Sequence, residues 1–197
     1  LYGLFGFHEI PFVIGAPITI FIIVFVCNAM NLIDGIDGLC ASLSEIALLG
    51  FFYAFYMEGL YIYCILIAGL MGVLIPYLYY NVFGKCEKNR KIFMGDSGSL
   101  TLGFILSFLF IKLSMDNPSV MSFNARRMPF AYSLLIVPTF DVIRVIFHRI
   151  RTHRSIFDAD KNHIHHKLMK YGMSPHQALL TIITLDVSFL VINIMLY

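Results

Sequence analysis

Six long apolar blocks, separated by polar stretches, make up this chain: about Pro11 to Cys27, Leu39 to Met57, Leu60 to Phe83, Ser99 to Met115, Met128 to Phe147 and His176 to Tyr197. Each is long enough, or nearly so, for the roughly 20 residues with which an α-helix crosses a bilayer. The pattern predicts an all-α fold, a polytopic transmembrane helical bundle of about six spans. No internal repeat and no low-complexity linker divides it, so residues 1–197 read as one domain. Composition agrees: 59% of residues are hydrophobic and only 13% charged, against about 25% charged in soluble domains.

If each block crosses once, three polar stretches share a side: Asn28 to Leu39, Gly84 to Gly98 and His148 to Pro175. The second carries Lys85, Lys88, Arg90 and Lys91, and the third Arg149, Arg151, Arg154, Lys161, Lys167 and Lys170. The other side has Arg126 and Arg127, with Lys112 near that end and Asp116 and Pro118 in the loop. Positive residues accumulate on the cytoplasmic side, which predicts that the three stretches face the cytoplasm. A net charge of +2 without a long basic run makes nucleic acid a poor partner. The four cysteines, Cys27, Cys40, Cys64 and Cys86, are scattered and read as apolar fillers or free thiols. From Leu1 to Pro11 no basic region with a cleavage site marks a signal peptide.

Within the first stretch, Asn28, Asn31, Asp34 and Asp37 recur every third residue. On a helix or tight helical turn each would lie beside the next, presenting several oxygens to one cation. Magnesium takes one or two protein carboxylates and completes its shell with water and substrate phosphates, so such a row beside a phosphate site suits it. Gly35 and Gly38 would let backbone or ligand approach closely. A polar helix-terminal loop at the membrane surface is the alternative.

The second stretch ends in Phe93-Met94-Gly95-Asp96-Ser97-Gly98-Ser99, directly before an apolar block. Backbone N–H groups at a helix start can hold phosphate, and Asp96 would there be a metal ligand. Ordinary capping by Ser97 or Ser99 is the alternative. In the third stretch His163, His165 and His166 stand between Lys161 and Lys167, suited to binding metal, donating to phosphate or moving protons. A basic surface for anionic headgroups would look the same. Asp141 and Arg144 are spaced to pair on one helix face, and Glu45 and Asp186 are lone acids expected to find partners on neighbouring helices. Tyr77, Tyr79 and Tyr80, after Pro76, suit a membrane interface.

Taken together, NAMNLIDGIDGL, FMGDSGSLTLG, PTFDVIR and NHIHHKL resemble the polyprenyl-phosphate N-acetylhexosamine-1-phosphate transferases, in that order and over nearly the whole chain. The likeness is greatest to the bacterial undecaprenyl-phosphate GlcNAc-1-phosphate transferases of O-antigen, teichoic acid and capsule synthesis. The resemblance implies transfer of a sugar 1-phosphate from a UDP-N-acetylhexosamine to undecaprenyl phosphate, with release of UMP and with magnesium, or manganese, as cofactor. It places the metal on Asp96 with Asn31 as neighbour, and Asp37, Asn81 and Phe93 in the nucleotide pocket, Phe93 stacking on uracil. His163, His165 and His166 fall to diphosphate and sugar recognition. Asp34 is a catalytic candidate that could orient the acceptor or metal waters. The resemblance also implies a multi-pass protein of the bacterial cytoplasmic (inner) membrane with a cytoplasmic active face, and makes a homodimer plausible.

One feature departs from that family. Its members carry an adjacent Asp-Asp pair at the cytoplasmic end of an earlier helix, and no Asp-Asp occurs here. The expectation is that the pair lies upstream of Leu1, that this chain is the C-terminal part of a larger bundle, and that the isolated chain is inactive or severely impaired. Two competing readings are a transporter using Glu45, Asp141, Arg144 and Asp186 as intramembrane relay groups, and a non-catalytic remnant that scaffolds other membrane enzymes. Against the transporter stand the missing repeat and the clustering of motifs on one face.

Overall fold

The computed structural model describes residues 11–85, 90–115, 121, 124, 126–153, 155 and 163–196. Cys86, Lys88, Asp116, Pro118, Arg154, Lys161 and Tyr197, named above, lie outside them. The described residues form eight helices: α1 (Phe12–Ile33), α2 (Leu39–Met57), α3 (Tyr61–Phe83), α4 (Gly95–Ser114), α5 (Arg127–Ser133), α6 (Ile136–Arg151), α7 (Ile164–Lys170) and α8 (Pro175–Leu196). Five of them, α1 to α4 and α8, are long and apolar enough to cross a membrane, and α5 with α6 makes a sixth, bent candidate. The protein is an all-α, multi-pass membrane bundle.

The core is built around α2, whose most apolar stretch is 67% buried, against 11% for α1 and 17% for α3. It packs on α3, α4 and α8, while α1 lies along α4. Close approach of these helices depends on missing side chains. A Cβ on Gly103 would stand 2.6 Å from Cys27 Cα, and one on Gly50 would overlap Leu134. Small residues at such contacts let helices approach where lipid supplies no hydrophobic drive. Cys27, Cys40 and Cys64 are free thiols, the last two buried in the core.

The fifth apolar block is not the single helix expected from Met128 to Phe147. It breaks after Ser133 and restarts at Ile136, with a bend of 72°. Pro138 accounts for the break: it has no N–H for the carbonyl of Leu134, and its ring would clash there in a continuous helix. In the first turn of a new helix the same proline costs nothing, because that position needs no intrahelical donor. Thr139 N–H and Oγ1 both bond the Leu135 carbonyl, at 3.2 and 2.5 Å.

At the end of the bundle opposite the motifs, buried Arg127 pairs with Glu58 of the α2–α3 turn at 3.1 Å. That pairing offsets one of the three positive charges, Lys112, Arg126 and Arg127, at this end.

Candidate active site

The first two motifs meet where α1 runs antiparallel to α4. Asn31, in the last turn of α1, donates from Nδ2 to Asp96 Oδ1 at 3.1 Å and to Ser99 Oγ at 3.0 Å. Asp96 stands in the first turn of α4 and is exposed. No side chain caps this helix at Met94, so Ser97 and Ser99 do not play the capping role set out above. The expected single row of Asn28, Asn31, Asp34 and Asp37 is not formed. The helix ends at Ile33, Asp34 is its C-cap, and Asp37 lies in the following turn. Asn28 turns back to the Val24 carbonyl at 2.8 Å and takes no part.

Asn81, 4% exposed at the end of α3, ties the two loops together. Its Oδ1 accepts from Gly38 N–H at 2.5 Å and its Nδ2 donates to the Ile92 carbonyl at 2.8 Å. Gly38 opens α2 with φ 80°, a left-handed conformation costly for other residues, and a Cβ there would stand 2.6 Å from Val82. Beyond Ile92, Phe93 presents an exposed ring. Lys91 reaches Asp37 Oδ2 at 2.5 Å, and its Nζ lies 5.9 Å from the Phe93 ring centroid. Asp37, Asn81 and Phe93 are thus neighbours through Lys91 and Ile92. Lys91 was not singled out in the sequence; a lone lysine in a basic loop carries no signal of a carboxylate 54 residues away.

The histidine motif closes the site from the third stretch. His163 and His165 are buried, with rings nearly parallel and centroids 6.0 Å apart, and His166 packs on His165 at 4.2 Å. His165 lies directly on Gly35: a Cβ there would overlap Nε2 and come within 2.5 Å of Cε1. His163 Nδ1 lies 2.8 Å from Asp141 Oδ2, and the other oxygen of that carboxylate, Oδ1, accepts from Arg144 Nη2 at 2.6 Å. The predicted Asp141–Arg144 pair therefore forms, and it is joined to the histidines. Glu45 Oε1 and Asp186 Oδ1 have no hydrogen-bond partner among the described residues, unlike the pairing expected of them.

Burial, then the charges of His166 and His163, lowers the His165 pKa to about 4. A depressed pKa means the folded state holds the neutral ring. The stabilisation is complete above the ordinary value of 6.5 and is lost as pH falls from there towards 4. Its full size is on the order of 3 kcal/mol. Hydrogen exchange of the α7 amides, corrected for intrinsic rates, should rise as pH falls across that window, and His165→Gln should flatten the response.

Burial, followed by the charges of Asp37 and Asp96, pushes the Asp34 carboxyl up to about 6. Three carboxylates therefore crowd one end of the bundle, and among the described residues Asp37 alone of the three is paired with a lysine. Among the described residues no group of three or more His, Cys, Asp and Glu could hold a metal by itself. The donors present are carboxylate and amide oxygens, with Asp96 exposed. That set fits a hard cation that keeps water and takes further oxygens from a bound phosphate, not a closed protein cage.

Clustered carboxylates, an exposed aromatic and buried histidines thus gather at one end of a multi-pass helical membrane protein. The chain belongs to glycosyl transferase family 4, whose model matches residues 1–114. It is similar to the probable undecaprenyl-phosphate N-acetylglucosaminyl 1-phosphate transferase of Bacillus subtilis, 34% identical over 180 residues, covering 91% of this chain and 48% of the relative. The undecaprenyl-phosphate alpha-N-acetylglucosaminyl 1-phosphate transferase of Escherichia coli K12 is 29% identical over 182 residues (91% and 47%). That of Yersinia pestis is 29% identical over 168 residues (85% and 44%). The chain spans about half the length of the curated relatives it matches.

Proposed function

We propose that this chain forms part of an enzyme that moves N-acetylglucosamine 1-phosphate, or a related sugar 1-phosphate, from a UDP-N-acetylhexosamine to undecaprenyl phosphate. The observation that supports this best is convergence. Asn31 on Asp96, Asp37 beside Phe93 through Lys91, and Gly35 under His165 bring three separate motifs to one end of a membrane bundle. Such a site draws one substrate from water and the other from lipid. The relatives' names supply the acceptor and the sugar.

In the reaction an oxygen of the lipid phosphate bonds to the phosphorus next to the sugar, and the bond from that phosphorus to the oxygen of UMP breaks. No side-chain nucleophile is required. The chain's own residues bind and orient. The exposed Phe93 ring offers a stacking face for uracil beside Asp37, and Asn81 acts from below by holding the backbone of both loops. The neutral His165 and its neighbours wall the side where diphosphate and sugar would lie. Asp96, steadied by Asn31, would hold magnesium or manganese, with Asp34 placed to orient the acceptor or bound water. When bound, the cation offsets the like charges of the two phosphate substrates. The product would be the first lipid-linked intermediate of an envelope polysaccharide, made at the cytoplasmic face of the inner membrane.

The test uses membranes containing the protein expressed from its complete gene, supplied with UDP-GlcNAc and undecaprenyl phosphate. UMP release that needs the lipid phosphate and a divalent cation is the expected result. Well-folded protein that releases no UMP from any UDP-N-acetylhexosamine would overturn the proposal.

A further inference from the structure

Asp141 is buried on α6, 2% exposed, and its carboxylate collects three donors from different directions. Arg144 Nη2 reaches Oδ1 at 2.6 Å, Ile164 N–H reaches Oδ1 at 2.9 Å, and His163 Nδ1 meets Oδ2 at 2.8 Å. Ile164 opens α7, and His163, its N-cap, makes no side-chain cap of its own. Asp141 thus caps that helix from 23 residues away while gripping the imidazole that precedes it. A buried carboxylate with three such donors is compensated, so its cost is offset where it stands.

We propose that Asp141 is the positioning residue of the histidine motif. Its grip on Nδ1 places the ring proton there and leaves Nε2 as the nitrogen of His163 that meets substrate. This inference rests on the proposed function, which assigns the histidines to substrate. The chain of contacts is continuous. Asp141 holds His163, whose ring lies within 7° of parallel to His165, and His165 rests on Gly35 of the first motif. The bend before Ile136 sets the direction of α6, and through Asp141 that direction becomes the placement of the histidines. Nε2 of His163 has no hydrogen-bond partner among the described residues. A carboxylate or carbonyl on one ring nitrogen is the usual device by which proteins choose which imidazole atom does the work.

Asp141→Asn separates this role from simple packing. The amide oxygen can still accept from Ile164 and Arg144, but the amide nitrogen facing His163 can only donate, which forces the ring proton to Nε2. With the protein from its complete gene, kcat/KM for UDP-GlcNAc should fall about 100-fold, the scale of a misplaced binding group. Nitrogen NMR should show the His163 proton on Nδ1 in the wild type and on Nε2 in the variant. In a His163→Asn background, adding Asp141→Asn should cost less than about 3-fold, because residues acting as a unit do not add. A full penalty in that background, or a wild-type ring without a proton on Nδ1, overturns the inference. The wild-type NMR result stands whether or not the variant folds. It also stands if the protein releases no UMP, which would defeat only the proposed function.

Discussion

Asp96→Asn should lower UMP release by roughly 10³-fold or more, the order lost when a key group that stabilises developing charge is removed, and should leave the folded protein intact. The reasoning begins at Asn31, whose amide donates to Asp96 Oδ1 and to Ser99 Oγ. Asparagine at position 96 keeps an oxygen where Oδ1 now accepts, so the α1–α4 contact survives. What disappears is one negative charge at an exposed position, where a cation would be held. A hard divalent ion discriminates strongly between carboxylate and amide. Melting of the detergent-solubilised variant within a few degrees of the wild type, together with lost turnover at saturating magnesium, is the expected pair of results. Turnover within about 10-fold of the wild type would remove Asp96 from the centre of the chemistry.

Gly35→Ala should cost about 100-fold in activity, by moving the histidine motif rather than by breaking the first loop. A methyl there would overlap His165 Nε2 and stand 2.5 Å from Cε1. The imidazole has no easy retreat, since it is 1% exposed and lies between His163 and His166. Overpacking of this kind typically costs 1–3 kcal/mol, about what a shift of α7 would relieve. The double variant Gly35→Ala/His165→Ala checks the mechanism. If the damage is the collision, alanine at 165 makes room, and the double variant will be no worse than His165→Ala alone. Independent, additive losses would show that Gly35 matters for another reason.

Much of the architecture was legible in the linear pattern, for a physical reason. Apolar blocks of bilayer length leave the backbone one cheap solution, the helix, because every amide must be satisfied without water. Short connections such as Glu58-Gly59 then force antiparallel neighbours, and antiparallel order alone carries the three polar stretches to one end. The site residues were legible by type: small polar groups beside glycines are expensive in hydrocarbon and stand out from it.

Tertiary packing decided how those residues meet. Local spacing suggested one row from Asn28 to Asp37, yet the helix stops at Ile33, so Asn31 faces α4 while Asp37 turns to Lys91. The block holding Pro138 reads as one span, but a proline can kink a helix or begin one, and in the fold it begins one, after a bend of 72°. Asn81 was marked for the nucleotide pocket, and only packing made it the buried tie between Gly38 and Ile92. The pairing of Asp141 with Arg144 could be read from their spacing, but its union with His163 could not. Residues three or four apart on one helix are neighbours by covalent geometry. Residues 22 to 65 apart become neighbours only when whole helices choose their faces, and that choice belongs to the folded bundle.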